Sequence, residues 1–317
     1  MQKQLGASLL GLGLALATWA PPAHAAEACS DAARPPVTLP AEPTFGDFWR
    51  VLGQELDGLD QSALRPTFEA FAARHGADAQ SPQLWHEFAR LWLAFEATRD
   101  GGFWRLRWRV TDQEPSSNEI WKAWLRATPT ASFTSMSTVA ECDEITSLFA
   151  LTARHLGVRG VGLFYPTWNH VIAGWAPAAG LLPHSTVVLV PTTQIFQECS
   201  ATFDETSFKT PRHVYEYPRT DVRDERPMPA ALATFLLEQV RAYGEATPTL
   251  QALIRTKRAE LFRSSLGNCG AFRQQLARQL AGALSCADQR SLRHLARVEL
   301  GRAELSARET LAFLETP

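Results

Sequence analysis

The sequence predicts an α+β protein in which helices flank a small antiparallel sheet, one cysteine-bearing helix packs on that sheet, and a helical region closes the chain. Three observations carry this. Apolar residues recur at helical spacing before residue 100 and again from Cys142 to Leu156. Three apolar segments of strand length follow that second run, separated by short turn-rich links. From Pro229 onward the pattern is helical to the end.

The elements follow in order. Lys3, an apolar run from Leu5 to Trp19, and the small-x-small site Ala23-His24-Ala25 have the layout of a secretory signal peptide over residues 1–25, too short for a membrane span. Removing it leaves about 290 of the 317 residues. Residues 26–44, rich in Pro and Ala, read as a linker. Amphipathic helices are expected near 45–57, 61–75 and 82–98; the last carries Leu84, Trp85, Phe88, Leu91, Trp92 and Phe95 as one apolar stripe. In "FWRLRWRV" the period changes: Trp104, Leu106, Trp108 and Val110 alternate with Arg105, Arg107 and Arg109, the pattern of a strand with one buried and one basic face. "DQEPSSN" is a turn, with Asn118 placed to cap a short helix holding Ile120, Trp121 and Leu125. The helix "AECDEITSLFALTARHLG" ends at Gly157, a good helix stop. The segments "VRGVGLFY", "NHVIAGW" and "STVVLVPTT" are the strands, joined through "YPTW" and "PAAGLLPH". Residues 198–229 lack a period and read either as a binding loop or as a surface excursion. The C-terminal helices break near 244–248, 267–270 and 286–287. The organisation is thus an α+β domain over 45–228 and a helical region over 229–317; all ten Trp precede residue 176.

Composition narrows the classes. A chain with 45% hydrophobic and 20% charged residues is globular, and a formal charge of −2 gives no overall basic surface for nucleic acid. From Thr247 on, eleven Arg/Lys face six Asp/Glu. That excess reads as solvated helix faces, with a contact to an anionic partner as the alternative. No CxxC pair, HExxH, phosphate-binding Gly-rich loop or G-x-S-x-G elbow occurs, so no metal or cofactor is expected.

Five cysteines in an exported chain leave at least one outside disulfides. Cys142 is in phase with Ile145, Phe149, Thr152 and Leu156, so its thiol lies on the core side of the helix N-terminus. Unpaired backbone N–H groups and the helix dipole favour a thiolate there. Glu141, Asp143 and Glu144 oppose it electrostatically, though acids also suit a first helical turn. A thiolate nucleophile needs a base. His170 lies 28 residues on, where a strand and a turn can return the chain to the helix start. His155 sits about 20 Å along the same helix; His184 and His213 fall in loop and irregular segments. Without a nucleophilic role, Cys142 is a small core residue and His170 a strand histidine with a structural hydrogen bond. Cys269 and Cys286, as ends of one straight helix, would stand about 25 Å apart, too far for a bridge unless the helix breaks at Gly282. Pairing with Cys29 and Cys199 would leave Cys142 as a thiol.

"ECDEITSLFALTARHLGVRG", "NHVIAGW" and "LVPTT" together resemble the core of transglutaminase-like cysteine enzymes, over residues 135–195. The resemblance implies a papain-like core, Cys142 as the acylated nucleophile, His170 as its base, and peptide or glutamine amides as substrates. It also implies an Asp before the Pro-Thr turn that orients the His. Val190 occupies that position and cannot accept a hydrogen bond. Asn169 should face the other side of the strand from His170; Thr192, on the face of Val190, is a weak substitute, and Gln194 and Asp204 are more remote ones. Three functions are therefore expected in descending order. The first is an exported cysteine enzyme acting on a peptide or protein substrate, cell-envelope proteins included. The second is a non-catalytic relative binding such a partner, and the third a helical scaffold in which Cys142 is core.

Overall fold

The computed structural model describes residue 29 and residues 34–108, 138–140, 142–167, 170–183, 187–192, 223–262, 269–282 and 284–316. The expected signal segment, the helix after Asn118, His184, His213, Asn169, Gln194, Cys199 and Asp204 lie outside them.

Three helices open the fold where the apolar period places them. Helix α1 (Phe45–Asp57) starts at Thr44, whose hydroxyl accepts from Asp47 N while Asp47 accepts from Thr44 N, satisfying two of the unpaired first-turn donors. Helix α2 (Arg65–His75) follows a short 3₁₀ turn and stops at Gly76 in the left-handed conformation. Helix α3 (Pro82–Thr98) has Pro82 in its first turn and Ser81 as its cap. Its second half is buried on nearly every side, which makes it the central helix. Helix α4 (Cys142–His155) ends as expected: Gly157 has φ +87°, Gly157 N donates to Arg154 O and Val158 N to Ala153 O, the two bonds of a glycine-ended helix stop.

The expected sheet is present as three antiparallel strands in the order β3 (Val161–Thr167), β4 (His170–Trp175), β5 (Val188–Val190). Strand β3 runs further than expected, into "YPTW". The register shifts between Phe164 and Thr167, where Pro166 has no N–H to give the ladder. A separate pair, β1 (Leu106–Trp108) and β2 (Thr138–Ala140), runs parallel, with Trp108 opposite Ala140. The three-stranded sheet has two differently covered faces. Val171, Ala173, Trp175, Val188 and Val190 join the main core with Ile145 and Phe149 of α4. Ile172, Val187 and Leu189 form a second cluster with Phe164.

Among the described residues five helices follow: α5 (Ala230–Tyr243), α6 (Pro248–Leu261), α7 (Gly270–Leu280), α8 (Cys286–His294) and α9 (Ala307–Glu315). A wider turn over Leu295–Glu299, closed by Leu300 N donating to Leu295 O, extends α8. One apolar core runs from Phe45 to Leu314 and includes residues of all these helices. Residues 223–229, the described part of the irregular stretch, lie along the start of α1, with Phe45 N donating to Arg226 O and Met228 N to Pro43 O.

Two expectations about charge are corrected. Alternation places Arg105 on an outward basic face, yet it is 1% exposed. Its φ of +53° breaks the extended backbone, so the strand starts only at Leu106 and Trp104, Arg105 and Leu106 are all buried. Its guanidinium lies over the Phe235 ring and 3.8 Å from Glu299. The C-terminal basic excess is not simply solvated: Arg255, Lys257, Arg258 and Arg273 are each buried. Glu299 accepts from Arg258, and Glu260 from Arg273, so these two buried guanidiniums have an anion beside them. Residues 281–285 separate α7 from α8, so no continuous helix joins Cys269 to Cys286. Cys29, Cys269 and Cys286 each lie in a disulfide. Among the described residues, no helix is long and apolar enough to cross a membrane.

Candidate active site

Cys142 is the first residue of α4, partly exposed, and keeps its thiol outside any disulfide. Asp143 and Glu144 follow it in the first turn. Ser147 turns its hydroxyl back to the Asp143 carbonyl at 2.6 Å. Local sequence explains the element: acids suit its start, Arg154 and His155 its end, and the apolar stripe buries against α3 and the sheet.

His170 is the first residue of β4 and is 3% exposed. Burial pushes its imidazole down to about 4, so it is neutral across the physiological range. The element carrying the thiol and the element carrying the imidazole are joined by a side chain that sequence reasoning passed over. Thr146, one helical turn after Cys142 and fully buried, donates to the carbonyl of Val171, the neighbour of His170, at 3.4 Å. Its oxygen lies 2.7 Å from the Thr192 hydroxyl. Each hydroxyl has one proton, so with Thr146 donating to Val171, Thr192 donates to Thr146. Its i,i+4 spacing from Cys142 places it on the thiol's side of the helix but does not reveal its partners.

The other candidates fall elsewhere. His155 stacks on Trp49 of α1 with ring centres 4.9 Å apart and stands 3.8 Å from Asp224; burial lowers its pKa. Val190 is fully buried and pairs with Ala173. Ala173 is three residues from His170, about 10 Å along the strand and on its other face. An acid at position 190 would thus have no path to the His170 ring in this register. Thr192 is committed to holding α4 on the sheet. A cavity of about 690 Å³, lined by Gly76, Asp78, Ser81 and the β4–β5 link from Ala176 to Pro183, opens at the opposite end of β4 from His170.

Compared with family models, curated proteins and solved structures, the chain matches none. The site therefore rests on its own chemistry.

Proposed function

We propose that the chain is an exported, transglutaminase-like cysteine enzyme that opens peptide or glutamine-type amide bonds. The observation that carries this is the Thr146 bridge, which seats the turn after Cys142 beside the start of β4, where His170 stands. In the reaction His170 takes the Cys142 proton and the sulfur attacks the amide carbon. The C–N bond breaks and His170 returns the proton to the departing amine. Water or a second amine then displaces the thioester and restores the thiol. Backbone N–H groups at the start of α4 are the natural donors for the oxyanion. The ring is unprotonated and so open to the thiol proton, although the burial that keeps it neutral also makes it a weaker base than a free imidazole. The signal-like leader supports export, and the disulfides fit an oxidising compartment. The test is to incubate the protein with a glutamine-containing peptide and a primary-amine probe. Ammonia release with an acyl adduct on Cys142, lost in Cys142→Ala and His170→Ala, supports the enzyme; no adduct and no ammonia contradicts it.

A second reading, a non-catalytic relative that binds a peptide at the same residues, has its own observation. By strand alternation His170 shares the side of Ile172, whereas α4 packs on the side of Val171 and Ala173. Peptide binding that survives Cys142→Ala, with no acyl adduct in the parent protein, favours this reading.

A further inference from the structure

We propose that Arg258 and Glu299, in the C-terminal helices, are positioning residues for Cys142, acting through the 99–105 loop and the β1–β2 pair. The proposal deepens the cysteine-enzyme reading and rests on it. Glu299 stands in the wide turn after α8 and is 1% exposed. Its carboxylate accepts from Arg258 Nη2 at 2.5 Å and Nε at 3.2 Å, and from the Tyr243 hydroxyl at 2.5 Å. Arg258, so held, donates its other nitrogen to the carbonyls of Gly102 at 2.6 Å and Gly101 at 3.4 Å.

That contact needs bare backbone. A Cβ at Gly102 would stand 2.2 Å from Glu96 O, and one at Gly101, where φ is +66°, would stand 2.7 Å from Arg255 O. The loop is therefore packed between α3, at Gly102, and α6, at Gly101. It closes onto the next element, because Gly101 N donates to Leu106 O at 2.9 Å. Leu106 opens β1, and β1 is in parallel register with β2: Leu106 with Thr138, Arg107 with Val139, Trp108 with Ala140. Ala140 is two residues before Cys142. A continuous path of hydrogen bonds and register thus leads from the Arg258–Glu299 pair to the entrance of α4.

Its chemistry suggests more than cohesion. A buried ion pair stabilises a fold weakly, because desolvation offsets the attraction; what this pair does is hold the Arg258 fork against the Gly101 and Gly102 carbonyls. Displacing a reacting group by about 1 Å costs on the order of a hundredfold in rate. Thr146 restrains α4 from the sheet side; the β2 end is the other tether of Cys142, and the C-terminal helices set it.

The experiment uses the full chain. The rate of Cys142 alkylation by iodoacetamide is measured across pH, together with the urea midpoint, in the parent protein, Glu299→Gln, Arg258→Lys and Lys257→Met. Lys257 neighbours Arg258 on α6 but donates to Thr316 O, off the path. The expected result is a fall of about tenfold or more in alkylation rate at pH 7, with the inflection moved upward, in Glu299→Gln and Arg258→Lys but not in Lys257→Met. Unchanged profiles in all three variants, at whatever loss of stability, overturn the proposal. Should Glu299→Gln not fold, Tyr243→Phe keeps the ion pair and removes one bond to Glu299; its profile must shift in the same direction. Hydrogen exchange in the parent protein must also show amides 138–140 opening together with that of Gly101, which donates to Leu106 O on the path; independent opening of β2 overturns the proposal. An ordinary thiol profile in the parent protein sinks the nucleophile reading instead, which separates the two failures.

Discussion

The Thr146–Thr192 pair gives the sharpest energetic test of how α4 is held at the site. Thr146→Val preserves shape and deletes one hydroxyl. It strips the Val171 carbonyl of its side-chain donor and leaves the Thr192 hydroxyl, in a fully buried residue, without its 2.7 Å partner. Leaving such groups unsatisfied costs about 1–3 kcal/mol. Thr192→Val should cost less, about 1 kcal/mol, because Thr146 still donates to Val171. In the double variant Thr192 no longer carries a hydroxyl to strand, so the loss should not exceed that of Thr146→Val alone. The coupling is then about 1 kcal/mol, beyond the ~0.5 kcal/mol scatter of independent sites. Urea unfolding at pH 7 with a common m-value measures all four proteins. Strict additivity, or a larger loss for Thr192→Val than for Thr146→Val, would refute the bridge as described. Alkylation of Cys142 should slow in Thr146→Val, because the turn beside the thiol loses its anchor.

Acid should weaken the fold through His170. Its pKa is about 4 folded against 6.5 ordinarily, so between those values the unfolded chain binds a proton that the folded chain refuses. Stability is flat above about pH 6.5 and falls as pH drops toward 4, by about 3 kcal/mol in total. His294, also held at about 4 by burial, acts in the same direction. Urea midpoints at several pH values check this, and His170→Gln should flatten the slope. Gly160→Ala should destabilise by about 1–3 kcal/mol or more, since φ there is +74° and a Cβ would stand 2.0 Å from the Ala176 carbonyl; thermal melting reads it directly. Cys286→Ser should cost about 2–5 kcal/mol by opening a disulfide, whereas Cys142→Ser should leave the melting temperature nearly unchanged.

What was legible in the sequence was what local period and local chemistry encode. The apolar stripes of α1 and α3 predict Phe45–Asp57 and Pro82–Thr98 at their observed ends, and Gly157 predicts the end of α4. The meander was readable because each strand is a short apolar run between turn residues. The rest depends on long-range partners. Alternation placed Arg105 outside; its positive φ and the Glu299 carboxylate, 194 positions away, bring it inside. The burial of Arg258 follows from Glu299 and from two glycine carbonyls of a loop that closes only in the fold. At the candidate site Cys142 and His170 were legible as types and positions. Thr146 was not, because a threonine on a helix gives no sign that its partners are a carbonyl of one strand and a hydroxyl at the end of another.

The central claim is that Cys142 is a nucleophile activated by His170. The alkylation rate of Cys142 against pH, in the parent protein and in His170→Ala, tests it most directly. The account predicts selective reaction at Cys142 with an inflection well below the ordinary thiol value of about 8.5, moving up toward that value when His170 is removed. An inflection at the ordinary value in the parent protein, or one that His170→Ala leaves in place, would contradict it.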